Sequence, residues 1–193
     1  MQWTIPGTTL QMNPGETDRA EELFRAMFMA GGMVLGQVAQ ITGLEPYTVQ
    51  NWVKRGFLPP PVNRRYSLSQ LCRVIQINML KNALSLEAVC ELLSFINGKL
   101  DEAADDIIDD ATLYFLFVRL AARAKELDSP QARNAALEDA LSGYREPVPG
   151  AKERVRQALR IMLTAWIAGR LRQEAEQMLR STINSCEAAE KGV

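Results

Sequence analysis

The sequence predicts an all-α protein in which a short winged helix-turn-helix, residues 33–98, is followed by a helical bundle that ends in one long helix. Three observations predict this. Apolar residues recur at three- and four-residue spacing through most of the chain, the period of helices with one buried face. Glycine and proline interrupt that period at places that suit helix ends. Positive charge is concentrated: residues 33–99 hold seven Lys or Arg against three Glu, although the whole chain has a net charge of −1 and a pI of about 5.7. A basic module therefore sits within an acidic remainder.

Residues 1–32 read as an N-terminal arm and a short helix. Pro6, Gly7, Pro14 and Gly15 make the first sixteen residues a loose lead-in. Asp18-x-x-Glu21 resembles a capping box, Leu23, Phe24, Met27 and Phe28 form an apolar stripe, and Gly31-Gly32 ends the helix. In the basic module, 35–42 (LGQVAQIT) is a short helix with Val38 and Ile41 inward, and Gly43-Leu44 is a tight turn. Pro46 suits the first position of the next helix, because its missing N–H would be unpaired there anyway. That helix runs to Arg55 and Gly56 closes it. The run 57–66 (FLPPPVNRRY) holds three prolines and forms a short, stiff wing, the one place where extended structure is expected.

Ser67-x-x-Gln70 caps a third helix carrying Leu71, Val74, Ile75 and Met79, and Ser85 caps a fourth that ends at Gly98. Residues 99–193 form a helical dimerisation or regulatory region. Its acidic start holds Asp101, Glu102, Asp105, Asp106, Asp109 and Asp110. Helices are expected at 111–127, 131–141 and 151–183, with Pro147 and Pro149 breaking the chain before the last. The last would be about 50 Å long, with Val155, Leu159, Met162, Leu163, Trp166, Ile167 and Leu171 along one face. Tyr114, Phe117 and Trp166 mark either a core or a ligand pocket, with core the commoner use of aromatics at helical spacing.

Composition excludes several chemistries. There is no histidine, and Cys72, Cys90 and Cys186 are far apart with no C-x-x-C pair. Zinc-finger, His-based triad and haem-attachment motifs are therefore ruled out or starved of ligands, and no metal or cofactor is expected. Neither a phosphate-binding glycine loop nor a G-x-S-x-G nucleophile is present, so an enzyme is not expected. Three unpaired thiols, a start without a secretory pattern and no apolar run of membrane-spanning length point to a cytoplasmic protein that does not enter a membrane.

The helix starting at Pro46 has two faces. Val49, Trp52 and Val53 form an apolar i, i+3, i+4 set, while Tyr47, Asn51 and Lys54 follow i, i+4, i+7 on the other side. Gln50 and Arg55 flank that outer stripe and Thr48 borders it. Asn and Gln can pair with adenine edges, Lys and Arg with guanine or phosphate, and Tyr and Thr with phosphate. Asn63, Arg64, Arg65 and Tyr66 of the wing would meet the flanking backbone. These ten residues are the expected DNA contacts. The alternative is that a polar, basic helix face is only a solvated one, and that the protein is a helical interaction adaptor that does not bind DNA.

The order of short helix, glycine turn, proline-started helix, glycine stop, basic wing and capped helix resembles the winged-helix domain of MerR-type bacterial regulators. Val38-Ala39, Thr42-Gly43, Pro46, Arg55 through Leu58, and Arg64 through Ser67 carry the resemblance, and SLEAVCELL looks like the fourth helix of that fold. Together with the following INGKLDEAADDIIDDATLYFL, the segment is similar to an uncharacterised bacterial domain-of-unknown-function family near MerR. The resemblance implies double-stranded DNA as partner, with Thr48, Arg64 and Tyr66 as backbone contacts, and a homodimer through the C-terminal helices. Gln50-Asn51 replaces the basic-aromatic pair common in MerR proteins, the wing is shorter, and no metal-binding cysteine cluster follows.

Overall fold

The computed structural model describes residues 3–97, 106–124, 127 and 129–191, excluding the side chains of Asp18 and of residues 186–191. Among these residues the protein is mostly helical. A small hairpin, β1 (Trp3–Thr4) and β2 (Gln11–Met12), leads through a 3-10 turn at Pro14–Glu16 into α1 (Asp18–Met27). Then come α2 (Leu35–Thr42), α3 (Pro46–Lys54), α4 (Leu68–Leu80) and α5 (Leu86–Asn97). The C-terminal half holds α6 (Asp110–Ala122), α7 (Pro130–Ala140) and α8 (Ala151–Lys191).

The core is built around α6, which packs on α1, α4, α7 and α8. Nearly its whole circumference is apolar and buried, the pattern of a central helix rather than a surface one. Tyr114 and Phe117, with Trp166 of α8, are core side chains, and Trp166 also reaches the wall of a shallow cleft beside Asn78, Lys81 and Gly169. Phe117 meets Trp166 edge-on at 5.9 Å between ring centroids, and Phe24 of α1 meets Phe115 at 5.5 Å. One continuous apolar cluster runs from Ile5 through α2–α6 to Trp166, so all three segments expected from the sequence contribute to it.

Residues 3–16 are not the loose lead-in that the sequence suggests, and strand pairing is not confined to the wing. β1 and β2 pair antiparallel, Ile5 is fully buried, and Tyr114 Oη donates to the Pro6 carbonyl at 2.9 Å. Gly7 (φ +75°) lies so close to α4 that a Cβ would meet the Ile75 carbonyl oxygen at 2.7 Å. These contacts join residues far apart in sequence, so local turn composition could not reveal them.

Two other expectations fail in detail. The N-cap of α1 is Thr17, which makes no side-chain cap bond, and Glu21 pairs with Arg25 at 2.7 Å rather than closing a capping box. On the same helix Phe24 is buried, but Leu23 is exposed. The caps further along do form, the first of them a full capping box. Ser67 N donates to Gln70 Oε1 at 2.8 Å and Gln70 N to Ser67 Oγ at 3.2 Å. Ser85 Oγ accepts from Ala88 N at 3.2 Å and Asp109 Oδ1 from Ala111 N and Thr112 N at 3.0 Å. Gly98, Lys99, Asp101, Glu102 and Asp105, together with the Cys186 side chain, lie outside the described residues.

Candidate nucleic-acid interface

The candidate site is the outer face of α3 and the hairpin tip that follows it. Position starts with α2. Its C-terminus turns at Gly43 (φ +67°), and Thr42 Oγ1 donates back to the Val38 carbonyl at 2.8 Å. The N-terminal hairpin braces this turn: Thr9 N donates to Ile41 O at 2.8 Å and Thr9 Oγ1 to Gln40 O at 2.9 Å. Asn78 of α4 donates to the carbonyls of both Gly7 (3.1 Å) and Thr42 (2.9 Å), tying hairpin, turn and core together. Carbonyls left open at the end of α2 thus find donors from other segments.

The helix α3 then lies with Val49 and Trp52 buried and Val53 half-buried. Tyr47, Gln50, Asn51 and Lys54 are exposed and Thr48 is half-buried, so the polar residues share the outer side as their spacing predicts. Tyr47 is 69% exposed, a large aromatic surface with no core role. The helix ends in a Schellman motif: Phe57 N donates to Trp52 O at 2.9 Å and Gly56 N to Val53 O at 3.1 Å, with Gly56 at φ +74°.

Arg55 leaves the outer face. Its guanidinium sits 4.4 Å from the Phe57 ring centroid and pairs with Glu87 of α5 at 2.7 Å. Both partners are substantially exposed, so the pair contributes no more than about 1 kcal/mol. Behind α3, Lys81 lies 5.8 Å from the Trp52 ring centroid, and partial burial pushes its pKa down.

The wing is a tight turn rather than a pair of strands. Val62 and Arg65 form a bridge, with Arg65 N donating to Val62 O at 2.9 Å. Asn63 (φ 49°) and Arg64 (φ 60°) are its central residues, both left-handed, as in a type I′ turn. Asn favours that conformation, but Arg does not, so the tip is strained at Arg64. Gln70 Nε2 donates to the carbonyls of Pro59 (3.2 Å) and Pro60 (2.9 Å), fixing the proline run to the start of α4.

Two wing residues belong to the scaffold. Tyr66 is only 3% exposed, and its backbone exchanges hydrogen bonds with Met33 (2.7 and 2.9 Å). Burial raises its phenol pKa and turns the ring away from the outer surface, so Tyr66 is not the backbone contact that its sequence position suggests. The reason is alternation: beside an outward Arg65, the next residue in extended chain faces inward. Arg65 Nη1 donates to Gly31 O (3.1 Å) and Gly32 O (3.0 Å), so it clasps the preceding turn. The outward-facing set is therefore Tyr47, Thr48, Gln50, Asn51, Lys54, Asn63 and Arg64. The partners Gln70 and Glu87 had no sequence signal beyond the cap and an acidic helix start.

Comparison with known proteins gives a likeness over one segment and no function. Residues 33–117 match the model of a domain of unknown function (DUF1836). The match begins at Met33, which pairs with Tyr66, and runs beyond residue 98 into α6. A protein of Bacillus subtilis (strain 168) described as the uncharacterized protein YkrK is 23% identical over 109 residues, 54% of this chain and 47% of that one. The chain thus spans about half the length of this curated relative. No solved structure matches. Residues 33–117 are thus similar to the DUF1836 domain.

Proposed function

We propose that this protein is a sequence-specific binder of double-stranded DNA, a transcriptional regulator of MerR-like winged-helix type. In this reading α3 enters the major groove, Asn51, Gln50 and Lys54 meet base edges, and Arg64 and Asn63 at the hairpin tip meet phosphates. The observation that carries the reading is the free polar face of α3, held rigidly by its buried Val49 and Trp52 and adjoined by a strained, outward Arg64. Rigid placement matters because base readout needs side chains fixed to within a fraction of an ångström. The second half of α8 supplies the two-fold partner contact in this reading, since such modules bind paired half-sites.

A helical interaction adaptor is the second reading. The exposed Tyr47 and Val62, which flank the polar face, and the acidic net charge favour it.

The test is retention of genomic DNA fragments by the purified protein at two salt concentrations, followed by sequencing of the bound fraction. A short enriched motif that survives the higher salt is the expected result. The companion variants are Lys54→Ala and Arg64→Ala, because Arg65→Ala would also loosen the Gly31–Gly32 turn. The Arg64 variant should lower the salt slope by about one while leaving the motif unchanged. If no fragment is retained at either salt, the DNA reading fails and the adaptor reading takes its place.

A further inference from the structure

Between the turn at Pro14–Thr17, α6 and α7 lies a cleft of about 800 Å³, in the ~300–1,000 Å³ range of small-molecule sites. Leu116, Leu120 and Ala136 give it an apolar floor. Among the described residues, the only charged side chains lining it are Arg119, Arg123 and Asp139. Arg123 Nη1 donates to Asp139 Oδ2 at 2.9 Å, which pairs the single carboxylate. Arg119 is half-buried and has no ion-pair or hydrogen-bond partner among the described residues. A partly desolvated guanidinium over an apolar floor, with no counter-charge among the described residues, favours an anion that can accept its forked hydrogen bonds.

We propose that this cleft binds a small organic anion with an apolar body, its carboxylate against Arg119 and its body on Leu116, Leu120 and Ala136. The Ser142–Tyr144 turn closes one end, held by Tyr144 Oη donating to Ile107 O at 2.5 Å. No residue of α2, α3 or the wing lines the cleft, so the site stands independently of DNA binding. Its floor helix nevertheless begins at Asp110, which bonds to Arg73 and Gln76 of α4 and Asn97 of α5. A ligand seated along α6 therefore contacts the helix that joins the two halves of the molecule.

The experiment uses the full chain, labelled with nitrogen-15, and two probes: 1-naphthoate and its neutral counterpart 1-naphthalenemethanol. Amide shifts are followed during titration. The naphthoate should shift Ser142, Gly143 and Tyr144 saturably and bind roughly ten-fold more tightly than the alcohol, as one charge-assisted contact implies. Arg119→Gln should bring the two affinities to within about two-fold of each other. The Arg119 side chain makes no bond among the described residues, so the variant's spectrum outside the cleft serves as its own folding control. Equal naphthoate affinity in wild type and variant would overturn the proposal. So would the absence of saturable shifts at those three amides with either probe.

Discussion

The Asp110 carboxylate accepts from Arg73 Nη1 at 3.4 Å and Asn97 Nδ2 at 3.1 Å, while its own backbone carbonyl accepts from Gln76 at 2.8 Å. Burial raises its pKa to about 6, outweighing the lowering effect of Arg73, with Asp106 and Asp109 adding to the rise. The unfolded chain releases this proton near pH 3.8. Between those values folding takes up a proton, so Asp110 favours the folded state at the acid end and loses that contribution as pH rises through about 6. We expect the stability of wild type relative to Asp110→Asn, from urea unfolding, to fall by roughly 2–3 kcal/mol between about pH 4 and pH 7. A flat difference, or one that grows with pH, would show that Arg73 dominates. The sequence hid this hub. Arg73 falls within an apolar helical run and Asp110 within an acidic one, where each looks like a solvated charge. Tyr66 was hidden for the converse reason: a tyrosine beside two arginines looks exposed until the Met33 pairing sets its side.

At the scale of elements, the boundaries of α2, α3, α4 and α5 were legible, because caps, Pro46 and Gly56 act within a few residues of where they stand. The bracing of α3 was not. It depends on a hairpin whose composition looks like a linker and whose anchors, Ile75, Asn78 and Tyr114, come much later in the chain. Gly7 is the narrowest point of that contact, with Ile75 O at 2.7 Å, Ile75 Cγ2 at 2.8 Å and Met79 Cβ at 3.0 Å from a would-be Cβ. Gly7→Ala adds left-handed strain to a clash with helix backbone, and should cost about 2–4 kcal/mol in denaturant unfolding. Displacing the hairpin also frees Thr9 from the carbonyls of Gln40 and Ile41. The turn before α3 should then exchange its amide protons faster than the α6 core. Protection unchanged around residues 41–45 would mean that the hairpin merely covers the turn and does not hold it.

For the whole molecule, the open question is α8. Its 41 residues span about 60 Å, eight residues past the expected end, because no proline or glycine follows Gly169 within it. Val155, Leu159, Met162, Leu163 and Trp166 are buried as the stripe predicts, but Leu171 is 61% exposed. Every residue from Arg170 to Ser185 is exposed. An isolated stretch of about 15 residues is marginal as a helix in water. This one also presents Leu171, Ala175, Met178 and Thr182 at alternating four- and three-residue spacing, the period of a two-stranded seam. Leu179 and Ile183 widen the same face, and both are exposed. No helix of the described residues is long and apolar enough to cross a membrane. On the proposed DNA-binding reading a second copy of the chain covers this stripe, since two copies of α8 would bury matching faces and space two α3 helices for paired half-sites. Sedimentation equilibrium should therefore give twice the 21.5 kDa chain mass. The double variant Leu171→Glu with Met178→Glu should sediment as a monomer, with unchanged helicity in the core and weaker DNA retention through loss of the linked half-site. A wild-type monomer at high micromolar concentration would sink the dimer, and the stripe would then count toward the adaptor reading.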